Sequence, residues 1–183
     1  MPRPRTHADE VIADIPLVRR LLAAQFPDWA GLPLAPVPSA GISNALFRLG
    51  DDMCLRLPRT LSAAEEVDKE QRWLPQIGSL LPLAVPLPLG LGTPAQGYPW
   101  NWSVYSWLPG EHLTLERVAD ERLAATALAE FVVALRRIDL PGGPPPGQHN
   151  FGRGVPLVER DAMVRKAVAA LGDRVDAAAA SAE

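Results

Sequence analysis

The chain has 183 residues, 48% of them hydrophobic and 21% charged, with a formal net charge of −3. That is enough apolar material for the core of one domain or one and a half, and too much for a disordered tail. The charge gives no support for general binding to nucleic acid or an anionic membrane, the single cysteine, Cys54, excludes an internal disulfide and any multi-cysteine metal site, and no apolar run approaches the roughly 20 residues of a membrane span.

The N-terminus, MPRPRTHADE, is charged and has no apolar signal core behind it. A soluble, cytoplasmic protein is expected, with residues 1–9 as a mobile leader. Asp14 can cap a helix, with Pro16 tolerated in its first turn. Val18, Leu21, Leu22 and Phe26 form its apolar stripe, and Pro27 ends it. The 20 prolines are about twice ordinary usage and fall mostly in connections. Three of them, Pro33, Pro36 and Pro38, bracket a segment, Leu34 to Val37, suited to an edge strand.

The stretch from Ser39 to Leu57 reads as loop, strand, turn, strand. Ala45, Phe47 and Leu49 alternate with Leu46 and Arg48; Met53, Leu55 and Leu57 alternate with Cys54 and Arg56. That is the period of half-buried strands, and Gly50-Asp51-Asp52 supplies the turn. A small-residue loop before a hairpin with a basic residue on its second strand suits a phosphate cradle. An ordinary hairpin with an exposed arginine fits the same residues. Cys54 reads as a small apolar residue of the strand.

Ser62 and Glu65 have the spacing of a capping box. The helix they open carries Ala63, Val67, Glu70 and Leu74 along one side, and Pro75 and Gly78 are expected to end it. Glu70 is then either a solvated edge charge or a partner for Arg56. Leu87–Gly92 suits a strand, with a turn at Ala95-Gln96-Gly97. Trp102–Leu108 is aromatic and β-branched, as strands favour, and Pro109-Gly110 breaks it. The succession predicts an α+β domain, an antiparallel sheet with a helix packed on it. The rest reads as helical. Asp120 can cap a helix with Leu123, Ala127, Phe131, Leu135 and Ile138 on one face. After the linker Pro141–Pro146, Pro156 can start another with Leu157, Val164, Val168 and Leu171 inward, and Gly172 at its end.

Several motifs coincide in order: S-A-G-I-S-N, F-R-L-G, M-C-L-R-L-P, V-D-K-E-Q-R-W-L and W-S-V-Y-S-W-L-P-G, then A-E-F-V-V-A-L-R-R-I-D and H-N-F-G-R-G-V-P. Together they resemble the aminoglycoside phosphotransferase family, which shares the protein-kinase-like fold, over most of residues 10–176. The resemblance implies a nucleotide-binding N-lobe over residues 10–110 and an incomplete helical C-lobe over residues 111–183. It implies an ATP-dependent small-molecule kinase using ATP with Mg. Ser39, Gly41, Ser43 and Asn44 would lie over the phosphates. Arg56 would contact them, and Glu70 would pair with Arg56. Ser106 to Leu108 would be the hinge that meets the adenine edge, with Tyr105 behind it.

The chain departs from the family in its loop, which has one glycine, Gly41. It departs further in lacking the H-G-D-x-x-x-x-N catalytic loop and the later metal-binding aspartate. Without those groups phosphoryl transfer lacks its base and its metal ligands, so no catalytic residue is assigned in this chain. The expectation is a fragment of a kinase, inactive alone. The alternative is a non-catalytic nucleotide-binding or interaction module that needs a partner chain. A metal enzyme built on His112 or His149 is a third reading, with no ligand spacing to support it. Nucleotide and a small-molecule acceptor are the expected partners, not nucleic acid or membrane. Self-association through helices left without their usual cover is also expected.

Overall fold

The computed structural model describes residues 11–38, 41, 43–111, 114–143, 145–147, 150 and 152–172. The expected leader, Ser39, His112 and His149 lie outside the described residues. The chain divides into two compact units, residues 1–139 and 140–183. The first therefore includes the long helix over residues 121–137.

In the first unit, α1 spans Ile15–Gln25 and is capped as its sequence predicts. Asp14 Oδ1 accepts from the Leu17 N–H at 2.8 Å, and Pro16 sits in the first turn. Leu17, Val18, Leu21 and Leu22 are buried. Truncating the cap in Asp14→Ala is expected to cost about 1 kcal/mol. Urea denaturation checks this, and an unchanged midpoint would contradict it.

Five strands follow: β1 (Leu34–Pro36), β2 (Asn44–Leu49), β3 (Met53–Pro58), β4 (Pro88–Gly92) and β5 (Trp102–Ser106). They form one antiparallel sheet in the order β1-β2-β3-β5-β4. The hairpin register pairs Leu46 with Arg56 and Phe47 with Leu55. Gly50, at φ 57°, makes the tight turn between its strands.

The period of two divides the sheet into two faces. One carries Ala45, Phe47, Leu49, Leu55, Leu57, Trp102 and Val104. These pack with the α1 stripe and Tyr98 into the main core. The other carries Arg56, Ser103 and Tyr105. The helix α2 (Leu61–Gly78) lies on that face, with Ala63 and Val67 buried. The sheet is thus covered on both sides, by α1 as well as by the one helix expected.

The sequence misplaces the start of α2, and of the two residues expected to end it, Gly78 does and Pro75 does not. Its cap is Thr60, whose hydroxyl accepts from the Ala63 N–H at 3.4 Å, and Ser62 lies inside the first turn. Pro75 sits within the helix, which continues to Gly78. It has no N–H to donate to the preceding turn, and its ring crowds the carbonyl four residues earlier. The helix stops where the chain must turn past Leu87. A Cβ at Gly78 would lie 2.6 Å from a Leu87 methyl.

The unit closes with α3 (Glu121–Arg137), capped by Asp120, whose Oδ1 accepts from Leu123 N–H at 2.9 Å. Its half-buried stripe is Ala124, Ala127, Phe131, Ala134 and Ile138. Leu123 and Leu135, expected on that stripe, are exposed, as are Leu128, Val132 and Val133.

The second unit holds a short 3-10 turn at Leu157–Arg160 and then α4 (Asp161–Leu171), with Gly172 at its C-terminus at φ 53°. Of the residues expected inward, only Val168 is half-buried; Leu157, Val164 and Leu171 are exposed. A segment this short has little to bury them against. Among the described residues no helix is long and apolar enough to cross a membrane.

Candidate functional site

The site grows out of the strand alternation. Leu55 and Leu57 are fully buried in the main core, so Arg56 between them must emerge on the α2 face. Val67, three residues before Glu70, is buried at the sheet, so Glu70 projects toward the same face. The two meet. Arg56 Nη1 lies 2.6 Å from both Oε1 and Oε2 of Glu70. Their side chains are 31% and 24% exposed, so water screens the pair only in part.

Two neighbours complete the arrangement. Tyr105 comes from β5, one strand across from Arg56, and its hydroxyl donates to Glu70 Oε2 at 2.6 Å. Burial pushes its phenol up to about 12, and the Glu70 hydrogen bond and charge push in the same direction. Tyr105 therefore stays protonated and remains a donor to the carboxylate. Asn44 comes from the start of β2. With its amide oxygen turned toward the guanidinium, that oxygen accepts from Arg56 Nη2 at 3.2 Å and Nε at 3.3 Å. Glu70 thus holds one edge of the guanidinium and Asn44 the other.

Gln71 is a residue the sequence reading did not single out. Its amide nitrogen donates to Ser103 Oγ at 2.9 Å and to the Gly90 carbonyl at 3.1 Å. This ties the next position of α2 to β5 and β4, and so fixes the helix that carries Glu70. Its signal in the sequence was only its place beside Glu70 on a helix. Cys54 is half-buried on this face. Burial raises its thiol pKa, against the opposing pull of Arg48 and Arg56, which does not favour a reactive thiolate.

The other predicted positions are more dispersed. Ser43 caps the hairpin end, its carbonyl accepting from the Arg59 N–H at 2.8 Å. Gly41 is exposed. Together with Asn44, Asp14 and Arg59 it lines a cavity of about 310 Å³ beside the start of α1. At the expected hinge, the Ser106 N–H donates to the Leu87 carbonyl at 2.8 Å and the Trp107 N–H to the Asp52 carbonyl at 2.7 Å. Ser106 Oγ accepts from the Leu87 N–H at 2.9 Å. Both of those main-chain donors are used within the lobe. Trp107 is itself covered by the Arg48 guanidinium, 4.3 Å from the ring centre.

Among the described residues no group of three or more His, Cys, Asp or Glu is placed to hold a metal ion. The donor set on this face is one guanidinium, one carboxylate already bound to it, a phenol and two amides. Such a set can hold an anion. It does not provide a magnesium site, which needs carboxylate oxygens in open geometry.

The family described as the phosphotransferase enzyme family matches residues 35–183. Comparison with curated proteins finds no match. Among solved structures, the chain is similar to the GDP complex of wild-type aminoglycoside 2'-phosphotransferase-IIIa. The TM-score is 0.64 and the identity 20%, over 88% of this chain and 54% of that one. For the GDP and kanamycin complex of APH(2")-IIia the values are 0.62 and 21%, over 86% and 52%. For the gentamicin–APH(2")-IIa complex they are 0.55 and 15%, over 88% and 51%. The chain spans about half the length of these structures. At such identities the likeness carries the fold alone, a kinase-like N-lobe with an antiparallel sheet and packed helices. The family rests on the sequence match, which covers well over half of the chain: this protein belongs to the phosphotransferase enzyme family.

Proposed function

We propose that this chain is the nucleotide-binding part of an ATP-dependent phosphotransferase that acts on a small molecule in the cytoplasm. The observation that carries the reading is the Arg56–Glu70 pair, closed by Tyr105 on the helix-covered face of the sheet. A guanidinium is planar and can face a carboxylate on one edge and phosphate oxygens on another. Glu70 and Tyr105 hold that plane in place before ligand arrives, which reduces the ordering cost of binding. The similar structures with GDP bound support a purine nucleotide as ligand.

Each residue then has a role. Arg56 neutralises and orients phosphate oxygens. Glu70 sets its rotamer, Tyr105 sets Glu70, and Gln71 anchors the helix. Gly41 and Ser43 approach the phosphates, and Ser106 to Leu108 borders the base. Magnesium, when bound to a nucleotide, neutralises charge developing on the transferred phosphoryl group. The described residues do not form its site, and no step is assigned to it here. A second reading, a nucleotide-binding module without turnover, rests on the same anion-binding face alone.

Titration calorimetry with ATP, and with GTP beside it, tests the reading. Arg56→Ala is expected to weaken binding about tenfold or more, as loss of charge-assisted hydrogen bonds does. Its circular dichroism spectrum should match the parent's. Equal affinity in both proteins would end the assignment. Transfer of phosphate from ATP to an acceptor separates the two readings, because the module binds nucleotide without consuming it.

A further inference from the structure

The Asn44 contact gives the site a second property. We propose that Asn44 competes with phosphate for Arg56, so that nucleotide must displace the amide before it can bind. This rests on the reading that Arg56 is the phosphate contact.

Arg56 offers its Nε–Nη2 edge, the fork that matches carboxylate and phosphate oxygens. That edge is already taken. With its amide turned oxygen-first, the orientation that satisfies both groups, Asn44 accepts from both nitrogens, at 3.2 and 3.3 Å. Glu70 does not occupy it, because its two oxygens gather on Nη1. The amide oxygen therefore stands where a phosphate oxygen would be recognised. The two acceptors differ in strength. An amide is neutral and its contacts here are long, whereas charge-assisted bonds from Arg to an anion run at about 2.7–2.9 Å and are roughly twice as strong.

Asn44 is a neighbour of Arg56 by construction. It pairs with Pro58 in the hairpin while Leu46 pairs with Arg56, so it lies one pleat away on the same face. It stands at the first position of β2, next to the loop. It also borders the cavity of about 310 Å³ lined by Gly41 and Val37, which gives the amide room to leave. Without nucleotide, the amide keeps the cation satisfied. With nucleotide, it is replaced. Affinity is then lowered by the fraction of molecules whose Arg56 edge is closed.

The sign of one substitution decides the matter. If Asn44 were simply a phosphate ligand, Asn44→Ala would weaken ATP binding. As a competitor, it should strengthen binding by about three- to tenfold, the range of one neutral hydrogen bond. Adenosine, which lacks phosphate, should bind both proteins equally. Asn44→Asp should weaken ATP binding, because a carboxylate holds the fork more tightly. The gain from Asn44→Ala should vanish when Arg56 is also alanine. The Arg56 Nε–H resonance gives a readout independent of affinity. It should shift on adding ATP to the parent and shift without ligand in Asn44→Ala. Asn44→Ser, too short to reach the fork, replaces the alanine variant if that fails to fold. Weaker or unchanged ATP binding in Asn44→Ala, or in Asn44→Ser where it replaces that variant, with Arg56→Ala still impaired, overturns the competition alone. Undiminished binding in Arg56→Ala overturns the phosphate reading and the competition with it.

Discussion

Trp102→Ala is expected to cost about 3–5 kcal/mol, most of the stability of a small domain. Trp102 is fully buried in the main core. Phe26 meets it edge-on at 5.4 Å, and its indole N–H donates to the Thr93 carbonyl at 3.3 Å. The space it fills is shaped by a glycine on the next strand. A Cβ at Gly92 would lie 2.0 Å from the Trp102 ring. Gly92→Ala alone is therefore expected to cost about 1–3 kcal/mol through overpacking. The two costs should not add, because removing the ring removes the clash. In the Trp102→Ala background, Gly92→Ala should be nearly silent. Urea denaturation of the four proteins measures the cycle. Additive costs would show that the two residues do not share this space.

Alkaline pH should unfold the protein through two tyrosines. Tyr98 donates to the Pro58 carbonyl at 2.7 Å and is almost wholly buried, which raises its phenol well above the ordinary value. Tyr105 is pushed up to about 12, by burial first and then by Glu70. An unfolded phenol gives up its proton near pH 10 while the folded one keeps it. Above pH 10 the unfolded state thus binds fewer protons, and stability falls as pH rises. The contribution is complete below about pH 10. Tyr105 loses its share, about 2 kcal/mol, between about pH 10 and 12, and Tyr98 continues beyond. The urea midpoint should be level from pH 8 to pH 9 and fall steeply above 10. Tyr105→Phe should make the fall shallower. A midpoint that holds to pH 12 would contradict the burial of both phenols.

Much of the fold was legible because its signals are local. The period-two alternation of β2 and β3 is written in consecutive residues, and so are the Asp14 and Asp120 caps. Thr60 was passed over for Ser62 because both can cap, and only backbone conformation separates them. Thr60 is extended, at φ −133°. The α3 stripe was misdrawn because leucines weigh more than alanines in a sequence pattern, whereas packing follows the side of the helix that meets the lobe. The site was partly legible. Arg56 and Glu70 are 14 residues apart, and the resemblance to a family suggested their pairing. The contact from Asn44 follows from the β2–β3 hairpin, but that from Tyr105 depends on strand order, which sets β5 beside β3. No local pattern contains that information, and none marked Gln71.

The sheet's two borders have a consequence for how copies of this protein can meet. Its outer strands are β1 and β4, and each contains a proline, Pro36 in one and Pro88 in the other. Proline has no N–H to offer an incoming strand. β1 is only three residues long, and β4 has a register break between Pro88 and Gly90. Neither border presents the regular row of donors and acceptors on which a further strand could build. Ribbon-like growth from sheet to sheet is thereby discouraged. The leucines and valines exposed along α3 offer a contact of another kind, through side chains and not through backbone. Crowding of this protein should accordingly yield helix-to-helix clusters that disperse on dilution, not fibrils.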